Sequence, residues 1–442
     1  MSHSSSVALA LAALAVTTTA AAAQSGAGAP WPEIQRLVDQ VNPQVVAWRE
    51  DIHQHPELGN REFRTSKLVA DHLRSLGMEV RTGVAHTGVV GVLHGGRPGP
   101  TVALRADMDA LPVTEMVDLP FASKVTTEYN GQTVGVMHAC GHDNHVAILM
   151  GTAQVLAEMK DELPGTVVFL FQPAEEGAPA GEDGGAGLMI EEGALSDPVP
   201  DAIFGLHVWP NPTGTIAYRA GGAMATADGL YIKVVGSQTH GALPWGGVDP
   251  IVVASQVVLG LQTIISRQAD LTKAPAVVTV GSIQGGVRGN IIPDSVVMVG
   301  TIRTFDEDMR KNIHQRIERT AKQIAASAGA EAVVRITSGG TAVTYNDPEL
   351  TRWALPTLRQ AAGDDAVSET QPITAAEDFS LYEQKVPGLF FFLGVNPPGR
   401  TPYPNHSPHF YADEAALPVG VRALAGLAVN YLTSHAAGVS QD

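Results

Sequence analysis

The sequence predicts an α/β protein: a mostly parallel sheet flanked by helices, interrupted by an inserted ferredoxin-like α+β unit. Three observations lead there. Short continuous apolar runs alternate with amphipathic helical stretches, as for strands buried on both faces of a parallel sheet. The residues able to do chemistry follow those runs, and open α/β sheets bind ligands beyond the carboxyl ends of their strands. Residues 223–337 instead read as β-α-β-β-α-β, the order of the ferredoxin-like split unit. The expected organisation is a leader at 1–23, a first part of the α/β domain at 31–222, the insertion at 223–337, and a second part at 338–442.

The elements follow in order. Residues 33–51 are amphipathic and stop near His55-Pro56, and 65–76 form a second helix ended by Gly77. The run 101–104 leads into Arg105-Ala106-Asp107-Met108-Asp109, and 166–171 leads into Glu175-Glu176. The run 202–206 leads into His207, and 389–393 precedes a Pro/Gly-rich loop that holds His406. Residues 146–159 read as a helix, so Cys140 and His142 should sit just before it. In the insertion, strands are expected at 230–235, 276–283, 295–305 and 332–337, with helices at 250–266 and 306–326.

Composition narrows the classes. The chain has 442 residues, 44% of them hydrophobic and 17% charged, enough apolar surface for a large core. A net charge of −17 argues against a nucleic-acid partner, whose phosphates would be repelled. Residues 1–30 carry no Asp, Glu, Lys or Arg. A short apolar stretch at 7–16, then Ala21-Ala22-Ala23 before Gln24, reads as a cleaved export signal, hence a periplasmic or secreted protein. That stretch is too short to span a bilayer, and no later segment reads as a membrane anchor.

The single cysteine, Cys140, lies in Met137-His138-Ala139-Cys140-Gly141-His142-Asp143-Asn144-His145. One cysteine forms no intrachain disulfide, so a thiol among imidazoles reads as a metal ligand or a nucleophile. Cys140 and His142 can converge on a loop, with Gly141 easing the turn. Gln172-Pro173-Ala174-Glu175-Glu176-Gly177 adds carboxylates. Neighbours in an extended segment point to opposite sides, so one Glu can bind metal while the other serves as base for a hydrolytic water. His138 and His145 read as supporting residues behind the ligands. The Gly-rich stretches at 181–187 and 285–289 lack the Lys-Ser/Thr of a phosphate cradle.

With these blocks in place, the chain resembles the aminoacylase/carboxypeptidase-type metallo-amidohydrolases, in the branch of hippurate and indoleacetyl-amino-acid hydrolases. Arg49 to Leu58, Arg105 to Pro112, the Cys140 and Glu175 blocks, Gly289-Asn290-Ile291-Ile292-Pro293, Glu377-Asp378-Phe379 and Asn405-His406-Ser407-Pro408 carry the resemblance in order along the mature chain. It implies two divalent cations, zinc or manganese ahead of cobalt or nickel. Cys140 would be the bridging thiolate, with His142, Glu176, His207 and His406 as the other ligands. Glu175 would be the general base, with Asp107 and Asp109 behind the ligands and His53 and His55 structural. His409 is an alternative ligand beside His406. His240 and Asn290 would reach the substrate, His240 across the interface of a homodimer formed through the insertion. The implied activity is hydrolysis of N-acyl or N-aroyl amino acids, and members of this branch accept bulky aromatic amides such as ochratoxin A. A metallo-exopeptidase, a metal-dependent binding protein and a cysteine hydrolase using Cys140 are the rivals.

Overall fold

The computed structural model describes residues 30–436. The leader expected at 1–23 lies outside them. Strands β1 (Glu79–Val84), β2 (Gly88–His94), β3 (Arg97–Asp107), β4 (Pro164–Gln172), β5 (Ala202–Pro212) and β6 (Ile216–Tyr218) precede the insertion. Its strands are β7 (Asp228–Val235), β8 (Ala276–Gln284), β9 (Ser295–Thr304) and β10 (Glu331–Ser338). Strands β11 (Val367–Glu369) and β12 (Gly388–Asn396) follow. The main sheet runs β1-β2-β4-β3-β5-β12-β6-β11. Its centre, β4-β3-β5-β12, is parallel throughout, and antiparallel pairing is confined to the flanks.

The long helices are α1 (Trp31–Gln54), α2 (Phe63–Ser75), α3 (His142–Glu158), α4 (Pro250–Gln268), α5 (Glu307–Ser327), α6 (Pro348–Ala362) and α7 (Leu417–His435). Successive side chains of a strand face opposite ways, and both faces here are apolar. Phe169, Phe204 and Phe391 pack with α1, α3 and α7 on one face. Val168, Leu170, Phe390 and Phe392 join Met189, Phe379 and Tyr382 on the other. Buried on both sides, these strands carry no polar alternation, which is why they read as continuous apolar runs.

The insertion forms a separate antiparallel sheet, β8-β9-β7-β10. Leu230, Ile232 and Val234 pack beneath α4 and α5 through Val257, Leu261, Ile313 and Ile317. Asp249 and Asp306 cap the two helices, each side chain accepting backbone N–H bonds from the first turn.

Two expectations need correction. Helices α4 and 414–435 are long and apolar enough to cross a membrane, contrary to the reading that no later segment is. The second is mostly buried in the core, and the first presents one apolar face to its own sheet. The segment after β3 also folds a hairpin, Thr126–Tyr129 with Gln132–Gly135, that the sequence reading did not foresee. Asn130 and Gly131 form its turn at φ 51° and 75°, both in the left-handed region that such tight turns require.

Candidate metal centre and the family

Helix α3 begins at His142, one turn earlier than its apolar run suggested. Gly141 enters it at φ 89°, a conformation costly for other residues. A Cβ on Gly141 would also lie 2.3 Å from Val208 Cγ2. Cys140 therefore leaves a loop rather than a strand of the main sheet, and His142 is the first helical residue. His207 lies within β5, and Asp107 ends β3. His406 sits at φ 68° in the loop after β12, pinned by its N–H to Ala139 O at 2.8 Å. Asn405 Nδ2 donates to Cys140 O at 3.0 Å, fastening the same two loops.

These elements bring five expected ligands together. Donor atoms of Cys140, His142 and His207 lie within 4.8 Å of one another, and so do those of Cys140, Glu176 and His406. The thiol belongs to both groups. His142 and His207 present Nε2 to the cluster because Nδ1 of each is occupied elsewhere. His207 Nδ1–H donates to Val208 O at 2.7 Å, and its Nε2 faces Cys140 Sγ at 3.4 Å. His142 Nδ1 meets Asp109 Oδ1 at 3.2 Å, while its buried Nε2 has no hydrogen-bond partner. His406 Nε2 approaches Glu176 Oε1 to 2.9 Å. A carboxylate or carbonyl behind a ring nitrogen fixes tautomer and orientation, the arrangement that metal-binding histidines use.

The expectation that Glu175 and Glu176 point to opposite sides fails. Ala174 takes φ 52°, and a turn replaces the extended segment, so both carboxylates reach within 4.8 Å of a His142 nitrogen. Glu62, which the sequence reading missed, holds that turn by accepting the Ala174 N–H at 2.9 Å. Burial, aided by Asp109, pushes Glu62 up to about 8.

The electrostatics favour positive charge. Burial opposes protonation of His142, but Asp107, Asp109 and Glu176 outweigh it and push its pKa up to about 10. Burial and the Glu176 and Glu175 carboxylates push the Cys140 thiol up. Burial and His145 hold His207 well below the imidazole range. A cysteine nucleophile needs the opposite, a depressed pKa beside a competent base. Thiol, imidazole and carboxylate donors that face one another in one space suit cations. Burial, with Glu377, Glu176, Asp378 and Asp107, pushes Glu175 well above the carboxylate range.

Asp109 and Asp107 lie behind the cluster as expected. Asp109 Oδ2 accepts the Glu176 N–H at 2.9 Å, so one carboxylate steadies both His142 and Glu176. Asp107 receives His145 Nδ1 at 2.5 Å and Arg105 Nη1 at 2.6 Å. His145 spends its other nitrogen accepting Val208 N–H at 2.8 Å, so it has no lone pair to offer a cation. His138 is buried with both ring nitrogens unpartnered, and burial drives it down to about 3. His53 pairs with Asp143 at 2.9 Å and Glu115 at 3.1 Å, a structural position, while His55 is exposed and bonds Asp51 O. His409 packs against Tyr403 with the rings tilted by 38° and enters no donor cluster among the described residues.

The sequence reading gave Arg105, Gln172, Glu377 and Asp378 no role. Arg105 is fully buried and reaches Gln172 Oε1 at 2.9 Å, Glu377 at 2.9 Å and Asp378 at 3.0 Å. The signal was available: an arginine continuing the run Val102-Ala103-Leu104 must be buried, and a buried charge must be paired. His240 and Asn290 stand apart. Both are exposed, His240 on the ribbon Thr239–His240 with Ile291–Ile292 and Asn290 in the turn just before it, and Ala242 N–H donates to His240 Nδ1 at 3.0 Å. Among the described residues, no hydrogen bond or ion pair ties either to the metal cluster.

The family model for peptidase family M20/M25/M40 matches residues 103–430. The chain belongs to this family. It is a metal-dependent amidohydrolase. It is similar to thermostable carboxypeptidase 2 of Saccharolobus solfataricus, with 42% identity over 402 residues covering 90% of this chain and 98% of the relative. It is similar to the IAA-amino acid hydrolase ILR1-like 2 of Arabidopsis thaliana, at 40% identity over 89% of this chain and 88% of the relative. Among solved structures, the dinuclear metal-binding M20 peptidase YXEP of Bacillus subtilis superposes with a TM-score of 0.73 at 36% identity, covering 89% of this chain and 99% of that one.

Proposed function

We propose that this amidohydrolase cleaves the amide between an acyl or aroyl group and the nitrogen of an amino acid, with two divalent cations held by Cys140, His142, Glu176, His207 and His406. One observation carries the reading. Cys140 is common to two donor clusters, and Glu175 faces the same space without joining either cluster that contains the thiol. A protein that only bound metal would have no use for that spare carboxylate. The similarity to an IAA-amino acid hydrolase supports the substrate class, and the dinuclear relative supports the cation count. The Cys/His/Glu set suits zinc or manganese, and also cobalt or nickel.

The cations would supply Lewis acidity towards the scissile carbonyl and the attacking water. Glu175 takes the proton of that water and passes it to the leaving amine. Burial, with its neighbours Glu377, Glu176 and Asp378, raises its proton affinity above that of an ordinary carboxylate, as a proton acceptor requires. Asp109 and Val208 O keep His142 and His207 in the tautomer that leaves Nε2 free.

The insertion provides the remaining substrate contacts in this reading. His240 and Asn290 act on the site of a second copy, His240 steadying the tetrahedral oxyanion. Trp245 and Val287, close to His240 and Asn290 in the chain, are exposed and offer apolar surface suited to a homodimer. Inactive His240→Ala and Glu175→Gln chains should then regain activity when mixed as heterodimers; no recovery in verified heterodimers refutes the shared site. Export is proposed from the leader, with a mature chain beginning near Gln24 that mass measurement on exported protein checks.

The function is tested by assaying N-acyl and N-aroyl amino acids beside free dipeptides on metal-loaded protein. Release of free amino acid from the acylated substrates is expected. Activity confined to free dipeptides would replace this reading with an exopeptidase. Glu175→Gln should keep its cations and lose roughly 10²–10⁴ in kcat.

A further inference from the structure

We propose that the cleft between the hairpin Thr126–Tyr129/Gln132–Gly135, segment 58–61 and loop 176–180 holds the acyl half of the substrate, and that Tyr129 selects for aromatic acyl groups. The proposal deepens the N-acyl amino acid reading and rests on it.

The cleft opens directly from the metal centre, because Asp109 and Glu176 are part of its wall. Its volume is about 540 Å³. That lies within the roughly 300–1,000 Å³ of small-molecule pockets and far exceeds what an acetyl group fills. The base is rigid. Leu58 bridges Ala110, Ala110 N–H donates to Glu57 O at 2.8 Å, and a Cβ on Gly59 would lie 2.8 Å from Gly177 O. Leu58, Leu111, Pro112 and Pro179 give the walls an apolar character, with Tyr129 on the hairpin.

Charge decides which half of the substrate enters. Among the described residues that line the cleft the cationic side chain is Arg61, and both oxygens of Glu182 engage it, at 2.5 and 3.0 Å. Glu176 serves the cations and Asp109 is bonded to His142 and to the Glu176 N–H, so Glu128 is the carboxylate left on the wall. Away from the metal centre the carboxylate of an amino acid would face Glu128 and apolar side chains, whereas an uncharged acyl group would meet walls that suit it. The amino-acid half therefore lies on the other side of the scissile bond.

Tyr129 is suited to a selective role. It is 42% exposed, which leaves its ring face available for an incoming aromatic group. The hairpin is held in place where Gly135 packs on Thr114, since a Cβ there would be 2.7 Å from Thr114 Oγ1. An aromatic ring facing an aromatic ligand contributes a geometry-dependent attraction beyond simple burial.

The test compares N-benzoyl and N-acetyl derivatives of one amino acid on the metal-loaded full chain. Tyr129→Ala should lower the benzoyl-to-acetyl ratio of kcat/KM by roughly three- to tenfold, as expected for a lost aromatic contact. Tyr129→Phe should restore it. Ala180→Trp, which fills the cleft from the opposite wall, should lower the same ratio at least as far. Calorimetric titration with benzamide, an uncharged aromatic acyl probe, gives a readout that needs no turnover, with weaker binding expected in Ala180→Trp. The assignment is overturned if the ratio is unchanged in Tyr129→Ala and Ala180→Trp, or if the variants alter preference among amino acids instead of acyl groups. Should the protein cleave only free dipeptides, the N-acyl reading fails by itself, and the cleft is judged by the same ratio for Phe-Gly over Ala-Gly.

Discussion

Replacing Asp109 by asparagine preserves the shape of the side chain and removes one of its two acceptors. Asp109 faces His142 Nδ1 at 3.2 Å with one oxygen and accepts the Glu176 N–H at 2.9 Å with the other. An amide has one oxygen and one NH₂, so one contact must become donor against donor. If the NH₂ faces His142, the ring must carry its proton on Nε2, and the lone pair needed by a cation disappears. If it faces Glu176, a backbone N–H loses its partner beside a ligand. Loss of a hydrogen bond to a charged group costs about 1.5–3 kcal/mol. Cation affinity should therefore fall roughly 10- to 100-fold, the range for residues that orient metal-binding histidines. Competition with a chromophoric chelator measures the affinity, and circular dichroism checks the fold. Affinity within twofold of the parent in a folded variant would refute the claim that Asp109 sets the His142 tautomer.

Cys140→Ser should lower bound metal below two ions per chain by elemental analysis, because a hydroxyl is a poor substitute for a shared thiolate; full occupancy would remove Cys140 from the ligand set. Gly141→Ala combines about 1–2 kcal/mol for a left-handed alanine with about 1–3 kcal/mol for the overlap with Val208, so denaturant unfolding should show a loss of roughly 2–5 kcal/mol. Asp228 accepts from Arg310 at 2.6 Å and His314 at 3.0 Å. Burial raises its pKa, but these partners outweigh it and hold the carboxyl below 3.8. A depressed carboxylate stabilises the fold above its unfolded pKa and loses that contribution as pH falls through the folded value. Asp228→Asn should thus cost about 1–3 kcal/mol near neutral pH, and the gap from the parent should close below pH 3.8.

Periodicity located the buried strands and the insertion because local pattern and tertiary burial agree there. Leu230, Ile232 and Val234 alternate in sequence and share one face in the fold. The Glu175-Glu176 turn was misread because neither residue marks a turn; Ala174 takes positive φ under the hold of Glu62, which is 112 residues away in the chain. The start of α3 was placed late because its first residues are polar and functional, so hydrophobic spacing begins only at Val146. The candidate ligands were legible as types clustered in the sequence. Their grouping was not, since the sharing of Cys140 between two clusters depends on His406 returning from the far end of the chain. The 126–135 hairpin escaped because its strands are short and mostly exposed, leaving only Asn130-Gly131 as a signal.

Metal titration tests the central claim most directly. The protein is stripped with chelator, checked for its fold, and titrated with zinc or manganese while hydrolysis of an N-acyl amino acid is followed. The account predicts negligible turnover without metal and activity that rises to a plateau at two equivalents per chain. Full activity in the stripped protein, or a plateau at one equivalent with no second ion bound, would contradict it.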